Sequence, residues 1–142
     1  MINLEYTISQ AAKKMNLTTY TLRYYDREGL LPSIKRNKWG NRIFTQDDLE
    51  MLSVVCCLKN TGMSIKDIKQ FTDWQNQGNY TLHARSDMLL RHKENVLKQI
   101  DSLKKNLILI DRKLSYYQNA CSAYDSGLPV PHCCGYSEKN LD

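Results

Sequence analysis

The reactive side chains of this 142-residue chain are few: an adjacent thiol pair, Cys56-Cys57, a single Cys121, and a terminal His132-Cys133-Cys134 cluster. A thiolate attacks electrophiles, and thiolates with an imidazole hold soft ions such as Cu(I), Zn(II) or Hg(II). Five cysteines, an odd number with two vicinal pairs, do not make a secreted disulfide framework, so free thiols in a reducing cytosol are expected. The second chemistry is cationic. Between Met1 and Phe44 lie eight basic residues (Lys13, Lys14, Arg23, Arg27, Lys35, Arg36, Lys38, Arg42) against three acidic ones, whereas the rest carries twelve of each. Excess cations confined to one third of a chain suit a polyanion, because each contacted phosphate releases condensed counterions. Paired carboxylates, a glycine-rich phosphate loop and a Cys-His catalytic arrangement are missing from the pattern, so neither an enzyme nor a cofactor is expected.

The elements that must position these residues follow from caps and periodicity. Thr7 with Gln10 is a capping box ahead of Ile8, Ala11, Ala12 and Met15 at helical spacing. Asn16 and Leu17 break that helix, Thr18 caps a second over Thr19–Glu28, and Gly29 closes it with a left-handed residue. Two short helices joined by a three-residue turn form a helix-turn-helix, whose second helix would present Thr19, Tyr20 and Arg23 to the major groove of DNA. Beyond Pro32, Ile34–Arg36 and Arg42–Phe44 read as strands about the turn Trp39-Gly40-Asn41. This hairpin puts Lys35, Lys38 and Arg42 on its solvent face, as a wing over sugar-phosphate backbone. Thr45 with Asp48 opens a helix to about Asn60, with Leu49, Leu52, Val55, Cys56 and Leu58 for the core. Ser64 with Asp67 then opens another, with the stripe Ile65, Ile68 and Phe71.

After Asn76-Gln77-Gly78-Asn79, one helix is expected to about residue 120. A 4-3 spacing runs through Leu82, Ser86, Leu89, Lys93, Val96, Ile100, Leu103, Leu107, Ile110, Leu114, Tyr117 and Cys121, interrupted only at Ser86 and Lys93. A helix on the order of 60 Å long cannot bury such a seam within its own small domain, so it requires a second chain in a coiled coil. The expected dimerisation residues are Leu89, Val96, Ile100, Leu103, Leu107, Ile110, Leu114 and Tyr117. The run from Asp125 to Pro131 forbids regular helix. The organisation expected is therefore 1–76 winged helix-turn-helix, 77–122 dimerisation helix and 123–142 a short, flexible cysteine-containing tail. No basic segment leads into an apolar leader and no apolar run approaches the ~18 residues of a membrane span, so a cytoplasmic protein without a membrane partner is expected.

The stretches Thr7-Ile8-Ser9-Gln10-Ala11-Ala12, Thr21-Leu22-Arg23-Tyr24-Tyr25-Asp26-Arg27-Glu28-Gly29-Leu30-Leu31, Gly40-Asn41-Arg42-Ile43-Phe44 and Gly62-Met63-Ser64-Ile65 resemble the MerR family of transcription regulators. The resemblance reaches to about residue 120. It implies a mainly α homodimer held by an antiparallel coiled coil, bound to a palindromic promoter whose overlong spacer it distorts so that RNA polymerase engages both recognition elements. It further implies that Tyr24, Arg36, Arg42 and Lys59 contact or clamp the backbone. The expected DNA-facing set is then Thr18, Thr19, Tyr20, Arg23, Tyr24, Lys35, Arg36, Lys38, Trp39, Arg42 and Lys59, with Arg23 alternatively an intrahelical partner of Asp26.

Within that family, Val54-Val55-Cys56-Cys57-Leu58-Lys59-Asn60-Thr61-Gly62 and Gly78-Asn79-Tyr80-Thr81-Leu82-His83-Ala84-Arg85 resemble the subgroup of AdhR and NmlR, associated with aldehydes and other thiol-reactive electrophiles. The resemblance implies a sensor thiol at Cys57. The neighbours of Cys57 at three and four residues, Ser53, Val54, Asn60 and Thr61, are mainly polar, which puts Cys57 toward solvent and Cys56 toward Leu49 and Leu52. Cys57 stands at a helix end whose dipole opposes a thiolate, with Lys59 as a nearby cation. The competing signal is a metal held by Cys121, His132, Cys133 and Cys134. Against it, the Cys121–Cys133 interval is longer than the metal-binding loops of metal-responsive relatives, no cysteine lies near Asn79, and adjacent thiolates strain to hold one ion. The tail is too short for a separate drug-binding domain. A coiled-coil adaptor without DNA binding is the alternative of a different class.

Overall fold

The computed structural model describes residues 4–132. The order of elements is β1 (Glu5–Thr7), α1 (Ile8–Met15), α2 (Thr19–Arg27), β2 (Lys35–Arg36), β3 (Arg42–Thr45), α3 (Gln46–Asn60), α4 (Ile65–Gln77), a 3-10 turn Asn79–Thr81 and α5 (Leu82–Asp125). Two compact units divide between Val96 and Leu97, so α5 contributes to both.

Local chemistry sets each boundary of the first unit. Gln10 N–H donates to Thr7 Oγ1 (3.2 Å) while Gln10 Oε1 accepts from Thr7 N–H (2.9 Å), which completes the capping box of α1. Asn16 ends the helix in the left-handed region (φ 54°), a conformation its short amide tolerates. Thr18 Oγ1 accepts from Thr21 N–H at the start of α2. Gly29, at φ 77°, reverses the chain beyond α2, and Leu30 N–H returns to Tyr25 carbonyl (3.0 Å). This reversal drops Leu30 and Leu31 into a core shared with Ala11, Leu22, Phe44, Leu52, Val55, Ile68 and Phe71.

The hairpin belongs to a three-stranded antiparallel sheet ordered β1-β3-β2, with Tyr6 opposite Phe44 and Arg36 opposite Arg42. Strand β1 escapes the sequence pattern: three residues are too few for alternation to register, and the partner lies some forty positions away. The wing tip also differs from the expected three-residue turn. Asn37 Oδ1 accepts the N–H groups of Trp39 and Asn41 (both 3.0 Å), Asn37 N–H donates to Asn41 carbonyl (2.8 Å), and Gly40 takes φ 81°. The tip is a five-residue loop wound around one asparagine side chain.

At the corner after α4, Thr81 is buried with its hydroxyl 2.7 Å from the carbonyls of both Trp74 and Gly78, and Arg85 donates to Thr81 Oγ1 and Gly78 carbonyl. Helix α4 includes Asn76 and Gln77, so the turn is shorter than the sequence implied. The N-terminal part of α5 packs Met88 against the core of the same unit.

In the second unit α5 continues to Asp125, a turn beyond expectation. Gly127 (φ 69°) and the Leu128 N–H to Ala123 carbonyl bond (2.8 Å) reverse the chain. Tyr116 then donates to Pro131 carbonyl (3.0 Å), which helps bury Ala120. Residues 126–132 are thus folded back along the last turns of α5. The seam residues Leu89, Ile100, Leu103, Leu107, Ile110, Leu114 and Tyr117 are exposed in the single chain, and Val96 is half-buried. Among the described residues no helix is long and apolar enough to cross a membrane.

Candidate nucleic-acid interface

Helix α2 is divided by its own periodicity. Leu22 and Tyr25 are buried, three residues apart, and anchor one face to the core. Tyr20 (71% exposed) and Arg23 stand on the other, with Arg23 Nη1 3.5 Å from Thr19 Oγ1. Thr18 is exposed at the cap. Tyr24 is half-buried with its ring 6.0 Å from that of Tyr25.

On the wing, Lys35, Arg36, Lys38 and Trp39 are all exposed. Lys38 Nζ sits 4.4 Å from the centroid of the Trp39 ring, and Arg36 Nη1 donates to Gly40 carbonyl (2.7 Å), so both cations are braced against the loop that carries them. Arg42 differs: it is half-buried, and its Nε donates to Asp26 Oδ2 at 2.6 Å. Asp26 therefore takes its cation from β3 and not from Arg23 on its own helix.

Between α2, β1 and the wing lies a cleft of about 410 Å³ lined by Tyr6, Thr7, Arg23, Arg36, Asn37 and Arg42 among others. With Arg42 already paired to Asp26, Arg23 and Arg36 against the single carboxylate of Glu5 on its wall leave the cleft a cationic lining, and Asn37 and Gly40 add polar backbone and amide groups. Such a lining attracts phosphate. Sequence reading missed Asn37 as the organiser of the wing; an asparagine standing directly after the strand and three residues before Gly40-Asn41 was the available signal.

Cys57 is exposed in the last turn of α3 and Cys56 half-buried against the core. Burial pushes the Cys56 thiol above its ordinary pKa, and Cys57 beside it adds to the rise. Tyr25 on α2 is raised as well, by burial first and then by Cys56 and Tyr24, so Cys56 lies within electrostatic reach of the DNA-facing helix. Lys59 is exposed in the same turn as Cys57. Thr61, the residue after α3, has its Oγ1 2.7 Å from Cys57 carbonyl and 2.7 Å from His92 Nε2 on α5. Cys121 is exposed; Cys133 and Cys134 lie outside the described residues, and among the described residues no cluster of three or more His, Cys, Asp or Glu is arranged to hold a metal.

Residues 6–73 match the model of the MerR HTH family regulatory proteins. An uncharacterized HTH-type transcriptional regulator of Haemophilus influenzae is 47% identical over 117 residues, 82% of this chain and 87% of its own length. The chain belongs to the MerR family. A solved MerR family regulator, HiNmlR, lacking the sensor domain and bound to promoter DNA, is 45% identical, covers 88% of this chain and 97% of its own, and superposes with a TM-score of 0.80. The Bacillus subtilis transcriptional regulator AdhR is 34% identical over 91 residues, 64% of this chain and 65% of its own. As a MerR protein the chain is a DNA-binding transcription regulator, not an enzyme, with α1 and α2 as its helix-turn-helix.

Proposed function

We propose that this MerR protein binds a palindromic promoter as a homodimer, distorts an overlong spacer so that RNA polymerase can engage both elements, and is switched by thiol-reactive electrophiles through Cys57. Residues 1–76 read DNA and 77–122 hold the dimer. On α2, Thr18, Thr19, Tyr20, Arg23 and Tyr24 face the groove and its edges, while Lys35, Arg36, Lys38 and Trp39 of the wing, with Lys59, meet the backbone. The observation that carries the DNA reading is the exposed Tyr20-Arg23 face beside a cationic cleft and wing, in a chain 45% identical to a promoter-bound relative. Deformation of the duplex supplies specificity at positions that no side chain touches.

For the signal, the exposure of Cys57 supports chemistry there, and Thr61 supplies a route by which its modification reaches α5. A bulky adduct in the last turn of α3 strains the Cys57 carbonyl, which shares the Thr61 hydroxyl with His92. The likeness to AdhR and HiNmlR is in keeping with this assignment. The test is transcription in vitro from the region upstream of the protein's own coding sequence, comparing reduced protein with protein treated by an aldehyde or a thiol oxidant, in wild type and Cys57→Ser. Activation on treatment that disappears in Cys57→Ser is the expected result; an equal response in both moves the sensor elsewhere. On the same upstream region, Arg23→Ala should lose the nuclease footprint that wild type leaves on the palindrome.

A further inference from the structure

We infer that Asp26 and Arg42 form a brace that fixes the angle between the DNA-facing helix and the wing, so that Arg42 acts as a positioning residue and not as a backbone clamp. The inference rests on the DNA-binding reading above. Arg42 opens β3, whose following residues pair with β1 on one side and β2 on the other and whose Phe44 is fully buried, so its backbone is fixed to the whole sheet. Asp26 lies in the last turn of α2, next to buried Tyr25. The 2.6 Å Nε–Oδ2 contact, with side chains only 16% and 25% exposed, therefore joins two rigid supports.

A paired arginine is a poor free cation. Its charge is already met by a carboxylate, and that same carboxylate would stand close to any phosphate the arginine approached. Arg23, Lys35, Arg36 and Lys38 are exposed and meet no carboxylate among the described ion pairs, so the wing keeps cations for backbone contact without Arg42. Specific binding requires α2 in the groove and the wing on the backbone at once, whereas non-specific binding needs only summed charge. A loosened brace should therefore penalise the first and spare the second.

The experiment measures the affinity of the full chain, across a salt series, for a duplex carrying the palindrome upstream of its own coding sequence and for a duplex of scrambled sequence. The proteins are wild type, Asp26→Asn, Arg42→Gln, the double variant, and the swap Asp26→Arg/Arg42→Asp. Each single variant should bind the palindrome about tenfold more weakly, on the scale of one charge-assisted hydrogen bond, with the scrambled duplex and the salt slope little changed. The double variant should be no worse than either single one, and the swap should recover part of the loss. Tighter binding of both duplexes by Asp26→Asn, or a salt slope about one unit shallower in Arg42→Gln, would make Arg42 a phosphate contact and overturn the brace. If Arg42→Gln melts, Asp26→Asn and Asp26→Glu decide by the same signs. Failure of wild type to prefer the palindrome would instead sink the DNA reading itself.

Discussion

Cys56 and Cys57 share a peptide bond and differ in chemistry because a helix turns about 100° per residue. Cys56 faces the core beside Tyr25, and its raised thiol pKa leaves less thiolate at any pH below the shifted value; Cys57 faces solvent. Iodoacetamide near neutral pH should thus label Cys57, with exposed Cys121, well before Cys56, and peptide mass spectrometry along a time course will show the order. Raising the pH through and beyond 9 should bring Cys56 into the reaction, since ionisation of a group whose folded pKa is raised also lowers folded stability there. Equal early labelling of both thiols would contradict the burial. Helical spacing alone divided the two cysteines correctly, because the division is local. The partner of Asp26 could not be read the same way: spacing offered Arg23 three residues off, while the structure supplies Arg42 from sixteen residues on, by a packing of the hairpin against α2 that no local spacing encodes.

Among the elements, α3 shows how a cap becomes a tertiary joint. Asp48, buried, accepts from Thr45 N–H (2.8 Å) and Thr45 Oγ1 (3.0 Å) and also from Ser33 Oγ (2.8 Å) in the segment leading to the wing. Asp48→Ala should cost on the order of 2 kcal/mol, because it removes three charge-assisted hydrogen bonds converging on one buried carboxylate. Thr7→Ala, at an exposed cap, should cost about 1 kcal/mol. Urea titrations of the two variants should show that order, and a reversed order would mean that the Ser33 link adds nothing. Caps were legible because they join residues three apart; the sheet was only partly so, because β1 has no pattern of its own and gains strand geometry from β3. The other joint is Thr61, between α3 and α5. His92→Ala removes its 2.7 Å contact without touching Cys57. The expected outcome is an unchanged rate of Cys57 alkylation with a weakened transcriptional response to it. A full response in His92→Ala would show that the signal reaches α5 by another route.

At the scale of the molecule, the exposed seam of α5 is the feature on which the proposed homodimer rests. Helix α5 has 44 residues, a length of about 66 Å, and its seam from Leu89 to Tyr117 is exposed in the monomer. Each apolar seam residue buried in a partner groove contributes about 1.5–3 kcal/mol, so the seven exposed ones gather on the order of 10–20 kcal/mol per chain, enough to offset an association cost of about 4–15 kcal/mol. Leu107→Asp should yield a monomer by light scattering and a melting temperature independent of protein concentration, where wild type should melt higher as it is concentrated. Direction is a separate matter, and twofold symmetry decides it. In an antiparallel pair only positions near the centre of the seam meet their own copies; in a parallel pair every seam position does. With the native cysteines replaced by serine, Leu103→Cys should therefore cross-link to itself on mild oxidation. Leu89→Cys and Tyr117→Cys, equally far from Leu103 on either side, should stay reduced apart and bond when both proteins are mixed as a heterodimer. Self-linking at all three would make the coil parallel and place both DNA-binding units at one end, a geometry that the antiparallel reading of the palindrome could not survive.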